Sequence, residues 1–189
     1  MNRNLSIDIL KYVMALFVVY LHLTPLKYFD PYVSYVTAQG LARIGVPMFL
    51  IISGYYFANI STKEKYLKWM KRLLFLYLIW NTFYYVYYIR PHNIYTFLDL
   101  YLTGFFPFWF LVNSIYAFLI LWAIRKLSAT KLTIIAAACA VVGLVLQYMF
   151  LYGVSPYVDS VYLFRNFIFD CFPFITIGFL IKREDITLS

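Results

Sequence analysis

Residues Ile7 to Pro25 read IDILKYVMALFVVYLHLTP, an apolar run long enough to cross a bilayer that nevertheless carries Asp8, Lys11 and His22. A helix of about 20 mostly apolar residues spans the hydrocarbon. Ionisable groups inside such a helix are costly, and they face a bundle interior or a watery cavity rather than lipid. Lipid is therefore the solvent of this chain, and its polar side chains need an interior to point into. Composition agrees: of 189 residues, 64% are hydrophobic and 13% charged, where a soluble domain has about half and about a quarter. Arg3 ahead of the run imitates a signal peptide. The apolar stretch is too long for that, contains charges and lacks a small-residue cleavage site, so it reads as an uncleaved first span.

Hydrophobic runs at roughly 7–25, 42–60, 72–90, 107–125, 132–152 and 163–182 predict an all-α, polytopic membrane bundle of about six helices, a single domain over 1–189. Pro25, Pro91 and Pro156 sit in or beside connections, where a missing N–H is tolerable. The stretch 93–106, NIYTFLDLYLTGFF, is apolar but short and holds Asp99, so it is expected as an interfacial or re-entrant piece. The net charge of +8 does not indicate nucleic acid, because the basic residues cluster in short connections. Lys63, Lys65, Lys68, Lys71 and Arg72, then Arg125, Lys126 and Lys131, then Lys182 and Arg183 fall on one side. Only Lys27, Arg43, Arg90 and Arg165 fall on the other. The positive-inside rule then places both termini in the cytoplasm. Cys139 and Cys171 lie in apolar runs without metal-ligand spacing and are expected as buried small hydrophobes.

Lys11 and His22 are eleven residues apart, ~17 Å along a helix and close to three full turns, so they share a face and could border one internal tunnel without touching. Asp8, three residues before Lys11, is placed to pair with it. Lys11 can equally snorkel to the inner headgroups. His22 can equally be an interfacial histidine bonded to a backbone carbonyl, although an imidazole can take a proton from an alcohol near neutral pH. Arg43 opens the second span, where Pro47 can loosen the helix and Ser53-Gly54 offers a small surface for close packing. In the sixth span Asn166 and Asp170 are four apart and share a face, with Arg165 or Arg43 as the cation Asp170 needs. His92 reads as a solvated loop residue, and Trp109 as an interfacial aromatic. No Walker loop, Rossmann glycine pattern, zinc motif or Ser-His-Asp arrangement is present.

Asp8-Ile-Leu-Lys11 followed after ten residues by His22 resembles the opening of the membrane-bound acyltransferase-3 family, Asp-x-Leu-Arg and then histidine. RIGVPMFLIISGYYF resembles that family's Arg, Val-Pro-Phe-Phe and Ser-Gly-Phe/Tyr pattern, carried by Arg43, Val46, Pro47, Ser53, Gly54 and Tyr55. KWMKRLLFLYLIW, PFWFL and RNFIFDCFPFITIGFLI continue it, so the resemblance covers most of the chain. It implies an integral membrane O-acyltransferase of a bacterial plasma membrane that moves an acyl group, usually acetyl, from cytosolic acyl-CoA to a hydroxyl of a cell-surface polysaccharide or related envelope glycan. Acyl-CoA is then a co-substrate, with no permanently bound cofactor or metal. His22 and Asp8 take the catalytic places and Lys11, Lys68 and Arg72 the donor-binding places. Arg43, Ser53, Trp109, Arg165, Asn166 and Asp170 form an acceptor-side or structural polar cluster.

The chain departs from the family pattern at Lys11, which replaces an arginine and its planar fork, and at Trp69, which stands where a partner for Arg72 is expected. It also carries six spans where members usually carry around ten, so it resembles the N-terminal portion of the domain and implies a possible partner chain. Three other readings compete: a non-catalytic relative, half of a small-molecule permease, and a simple anchor. A permease needs helices broken at midplane, hinted at only by Pro47 and Pro173. An anchor leaves Lys11, His22, Arg43 and Asp170 without a purpose.

Overall fold

The computed structural model describes residues 5–88, 94–104, 108–154, 157 and 160–186, and among them every regular element is helical. Arg3, Arg90, Pro91, His92 and Pro156 lie outside the described residues. Three helical bodies, Leu5–Tyr28, Pro31–Phe57 and Ala129–Leu151, are long and apolar enough to cross a membrane. The first contains α1 (Leu5–Leu23) and the third is α7 (Ala129–Leu151). Apolar side chains such as Phe75 and Leu144, 66% and 65% exposed, stand outward, as they must where the surrounding solvent is lipid.

The second body begins well before residue 42, where the hydropathy pattern places its start. The Asp30 carboxylate accepts hydrogen bonds from the Tyr32 and Val33 amides at 2.8 and 3.1 Å, and Pro31 follows it. An acidic N-cap with proline in the first turn is a helix start written in the local sequence. From there α2 (Pro31–Tyr35), a π-helical segment (Val36–Leu41), a 3-10 turn (Ala42–Ile44) and α3 (Gly45–Phe57) follow without interruption. The stretch expected as a third span belongs to a longer helix: α4 (Lys63–Tyr88) carries the basic stretch 63–72 as its first turns. The short apolar stretch forms α5 (Ile94–Thr103), which packs on α6 (Trp109–Ile124). The stretch expected as a sixth span is a composite of a 3-10 turn (Val161–Leu163), a π-helical segment (Phe167–Cys171) and α8 (Phe172–Arg183).

α3 and α8 form the centre. α1 flanks α3, while α6 and α7 pack on α8. Two glycines bring the central helices into backbone contact. A Cβ on Gly54 would run into the Ile175 carbonyl, and one on Gly178 into the Ile51 carbonyl. Only glycine permits that approach, and in lipid close backbone packing replaces the hydrophobic drive as the source of helix association. Pro47 and Pro173 stand together at one end of this pair, and Tyr55 and Lys182 meet at the other, so α3 and α8 run in the same direction.

The densest part of the core lies towards the Tyr55 end. Phe57, 1% exposed, has ring neighbours Trp69, Tyr66, Phe118, Trp122 and Phe179 with centroids 4.9–6.2 Å away. Tyr66 stacks on Trp122 at 4.1 Å, and the Arg125 guanidinium lies over the same Trp122 ring, 3.0 Å from its centre. Arg183 donates to the carbonyls of Arg125 and Leu127, closing the end of α6. Arg125 in turn donates to the Ser61 carbonyl at 3.2 Å, which brings the start of α4 to the same end. Cys171 is buried and Cys139 half-buried, both as free thiols.

Candidate functional site

α1 rises from Lys11 to His22, and these two residues end in different surroundings. At the lower end Lys11 lies 3.6 Å from Asp8, one turn away as the spacing predicts, with its ammonium 4.6 Å above the Tyr56 ring. Lys182 stands 5.6 Å over neighbouring Tyr55. Lys11, Lys182, Arg183, Arg125 and the lysine-rich start of α4 therefore gather at one end of the bundle. Lys68 and Arg72 are exposed on α4.

At the opposite end a cleft of about 780 Å³ opens between α1, the second helical body, α6, α7 and the composite sixth span. His22, Arg43, Trp109, Arg165 and Asp170 all line it, the first three from three different helical bodies and the last two from the composite segment that leads into α8. Gln39 and Gln147 line it too. Sequence reasoning missed both. Gln39 had a readable signal, since it stands one turn before Arg43; Gln147 on α7 has no charged residue within a turn of it.

Two π-helical segments deliver much of the polar lining. One carries Gln39 and leads into Pro47; the other carries Asp170 and leads into Pro173. A proline cannot donate to the carbonyl four residues earlier, so the turn before it is free to widen. A π-turn rotates the residues it carries relative to a regular α-helix and is a common device at functional positions. Both prolines sit at the start of a regular helix rather than at its midpoint.

Hydrogen bonds fix the cleft walls. The Tyr20 hydroxyl lies 2.7 Å from Thr37 Oγ1, which itself donates to the Val33 carbonyl, so Tyr20 is the donor across the α1 contact. Arg43 donates its Nε–H to Gln39 Oε1 at 2.6 Å, which aims the guanidinium. Asn166 caps the π-helical segment, its Oδ1 accepting from the Ile168 and Phe169 amides at 2.9 and 3.0 Å. Gly143 of α7 lets that segment approach, because a Cβ there would press on Phe169. The Arg43 and Arg165 guanidiniums lie near enough to repel each other, and both attract the Asp170 carboxylate.

The remaining expected residues lie elsewhere. Asn166 serves as a cap and does not line the cleft. Ser53 faces a separate apolar cavity of about 180 Å³ bordered by Trp69, Leu73 and Phe118. Asp8, Lys11, Lys68 and Arg72 are all outside the cleft. The cleft that His22 lines does not extend to Lys11: among the described residues its wall on α1 starts at Val18. Below it Gly45 seats α3 directly against Met14 and Val18.

The cleft thus combines an imidazole, two guanidiniums, a carboxylate and two carboxamides with aromatic walls, the lining of a site for a polar molecule with apolar faces. A family profile described as an acyltransferase domain matches residues 4–187, nearly the whole chain. No curated protein and no solved structure matches it.

Proposed function

The chain belongs to the acyltransferase-3 family of membrane acyltransferases, and from that membership we propose that it transfers an acyl group, acetyl in the simplest case, from acyl-CoA to a hydroxyl of a cell-envelope glycan. The observation that carries the reading is the convergence of His22 with Arg43, Arg165 and Asp170 in one cleft.

In this scheme His22 takes the proton of the acceptor hydroxyl as its oxygen attacks the thioester carbonyl. The new C–O bond forms, the C–S bond breaks, and the imidazolium returns its proton to the departing thiolate, leaving ester and free CoA. An arginine near the carbonyl steadies the oxyanion formed on the way. The opposite end of the bundle, with Lys11, Lys68, Arg72 and Lys182, has the charge to attract CoA phosphates. Asp8 holds Lys11 in place there rather than acting on His22. That arrangement supports an orientation with the basic end in the cytoplasm and the cleft towards the outside of a bacterial plasma membrane. The pantetheine arm then has to carry the thioester past the Met14–Gly45 contact, and this implies a movement of α1 against α3 on donor binding.

The test is acetyl-CoA consumption by purified protein in bilayers, native against His22→Ala. Consumption that disappears in the variant, with helicity preserved, is the expected result. Equal consumption by both removes His22 as the base. Silence in both favours a non-catalytic membrane module.

A further inference from the structure

The cleft holds more positive charge than its own carboxylate can balance. Arg43 and Arg165 face a single acid, Asp170, and among the described residues neither forms a direct ion pair with it. Arg43 commits Nε to Gln39, while its two Nη groups and the whole Arg165 guanidinium have no hydrogen-bond acceptor among the described residues. A guanidinium brings five N–H donors, and Arg43, exposed, and Arg165, half-buried, hold theirs open to a ligand that enters the cleft. Two such forks held close enough to repel are stabilised by an oxyanion, carboxylate or phosphate, shared between them. Trp109, Phe164 and Phe169 add aromatic walls beside the charges, and Gln147 adds a carboxamide. The volume of about 780 Å³ fits a short stretch of saccharide rather than a bulky chain.

The geometry points to an acceptor that carries its own anionic group, a carboxylate or a phosphodiester, close to the hydroxyl that becomes acylated, with Arg43 and Arg165 gripping that anion. This assignment rests on the acyltransferase reading and names its substrate class. Asp170 accepts hydrogen bonds from neighbouring hydroxyls of the same ligand, which keeps the site selective for a hydroxylated anion over a bare one. His22 lies on the same wall system for the hydroxyl that reacts.

Equilibrium binding to the full chain in nanodiscs tests this without requiring turnover. The probes are trigalacturonate, its neutral methyl ester and a glycerol-phosphate trimer. Hydrogen bonds to a charged partner set the expected gap: the acid binds about tenfold or more tighter than its ester. The gap closes as salt is raised, and a tighter phosphate probe identifies the phosphodiester source. Arg165→Gln abolishes the preference for acid over ester, while Arg165→Lys keeps part of it. Equal binding of acid and ester by the native protein overturns the proposal, as does binding of none of the probes. Efficient displacement of the acid probe by free CoA overturns it as well, because the arginines then belong to the donor. Acid-selective binding without His22-dependent acetyl-CoA consumption leaves the anion site standing and removes the transferase reading instead.

Discussion

Tyr20 donates its hydroxyl to Thr37 across 2.7 Å, two residues before His22 on one helix and two residues before Gln39 on the other. One hydrogen bond therefore sets the spacing between the imidazole and the carboxamide that aims Arg43. Tyr20→Phe removes the bond and keeps the ring. The expected cost is about 0.5–1.5 kcal/mol of stability, read as a lowered midpoint of thermal unfolding in detergent. Turnover should fall further than stability, since the bond links two walls of the cleft. Unchanged turnover in a destabilised Tyr20→Phe protein would show that the bond serves the fold alone.

The α3–α8 crossing is predicted to be intolerant of a single methyl group. In Gly178→Ala the new Cβ meets the Ile51 carbonyl, a backbone atom that cannot rotate away. Overpacking of this kind costs about 1–3 kcal/mol or more. Gly40→Ala provides the control, because nothing lies within 4 Å of a Cβ there and alanine is the better helix former. If both variants unfold at the same temperature, the crossing is not what holds the centre together.

Phe57→Ala should be the most damaging aromatic truncation. Its ring touches five others drawn from α4, α6 and α8, and loss of a buried phenylalanine costs about 3–5 kcal/mol. Unfolding in detergent, with Phe75→Ala as an exposed comparison, measures the difference. A similar loss in the two variants would mean that the cluster is not a core.

Lys11 is predicted to serve the donor through charge and position. Lys11→Arg keeps both the Asp8 pair and the Tyr56 ring contact, and it is expected to be tolerated or to improve donor use. Tyr56→Ala loses a cation–π contact of about 0.5–1 kcal/mol, so the KM for acetyl-CoA should rise about two- to fivefold with kcat little changed. A KM indifferent to both Tyr56→Ala and Lys11→Gln would move the donor site away from α1.

Much of the site was legible because charged groups in apolar runs have few places to go. His22, Arg43, Arg165 and Asp170 had to find an interior, and one cleft collects them. The Asp8–Lys11 pair followed from helical spacing alone. Gln39 and Gln147 escaped because an uncharged amide raises no such alarm. The π-helical segments escaped because hydropathy has no signature for an extra residue in a turn. Pro47 and Pro173 were visible as loosening points, but the residues placed near them on the π-helical segments were not. Trp109 read as a headgroup-level aromatic from its surroundings and as part of the acceptor-side cluster from the family resemblance, and it lines the cleft. Asn166 read as a partner of Asp170 on a helical face, whereas the helix begins at Asn166 and uses it as the cap. That the cleft at His22 stops short of Lys11 was not legible, because the close seat of Gly45 on α1 depends on how two helices cross, which neither sequence states alone.

The contact of Gly54 with Ile175, and of Gly178 with Ile51, also orders events during synthesis. α3 leaves the ribosome long before α8, so Arg43 enters the bilayer while its counter-charge at Asp170 has yet to be translated. Until then the nascent second span can shelter its guanidinium only at the headgroups or against the translocation machinery. Completion of the cleft coincides with arrival of the helix bearing Gly178, so a chain stalled before that point would display an unbalanced arginine, a ready mark for membrane quality control.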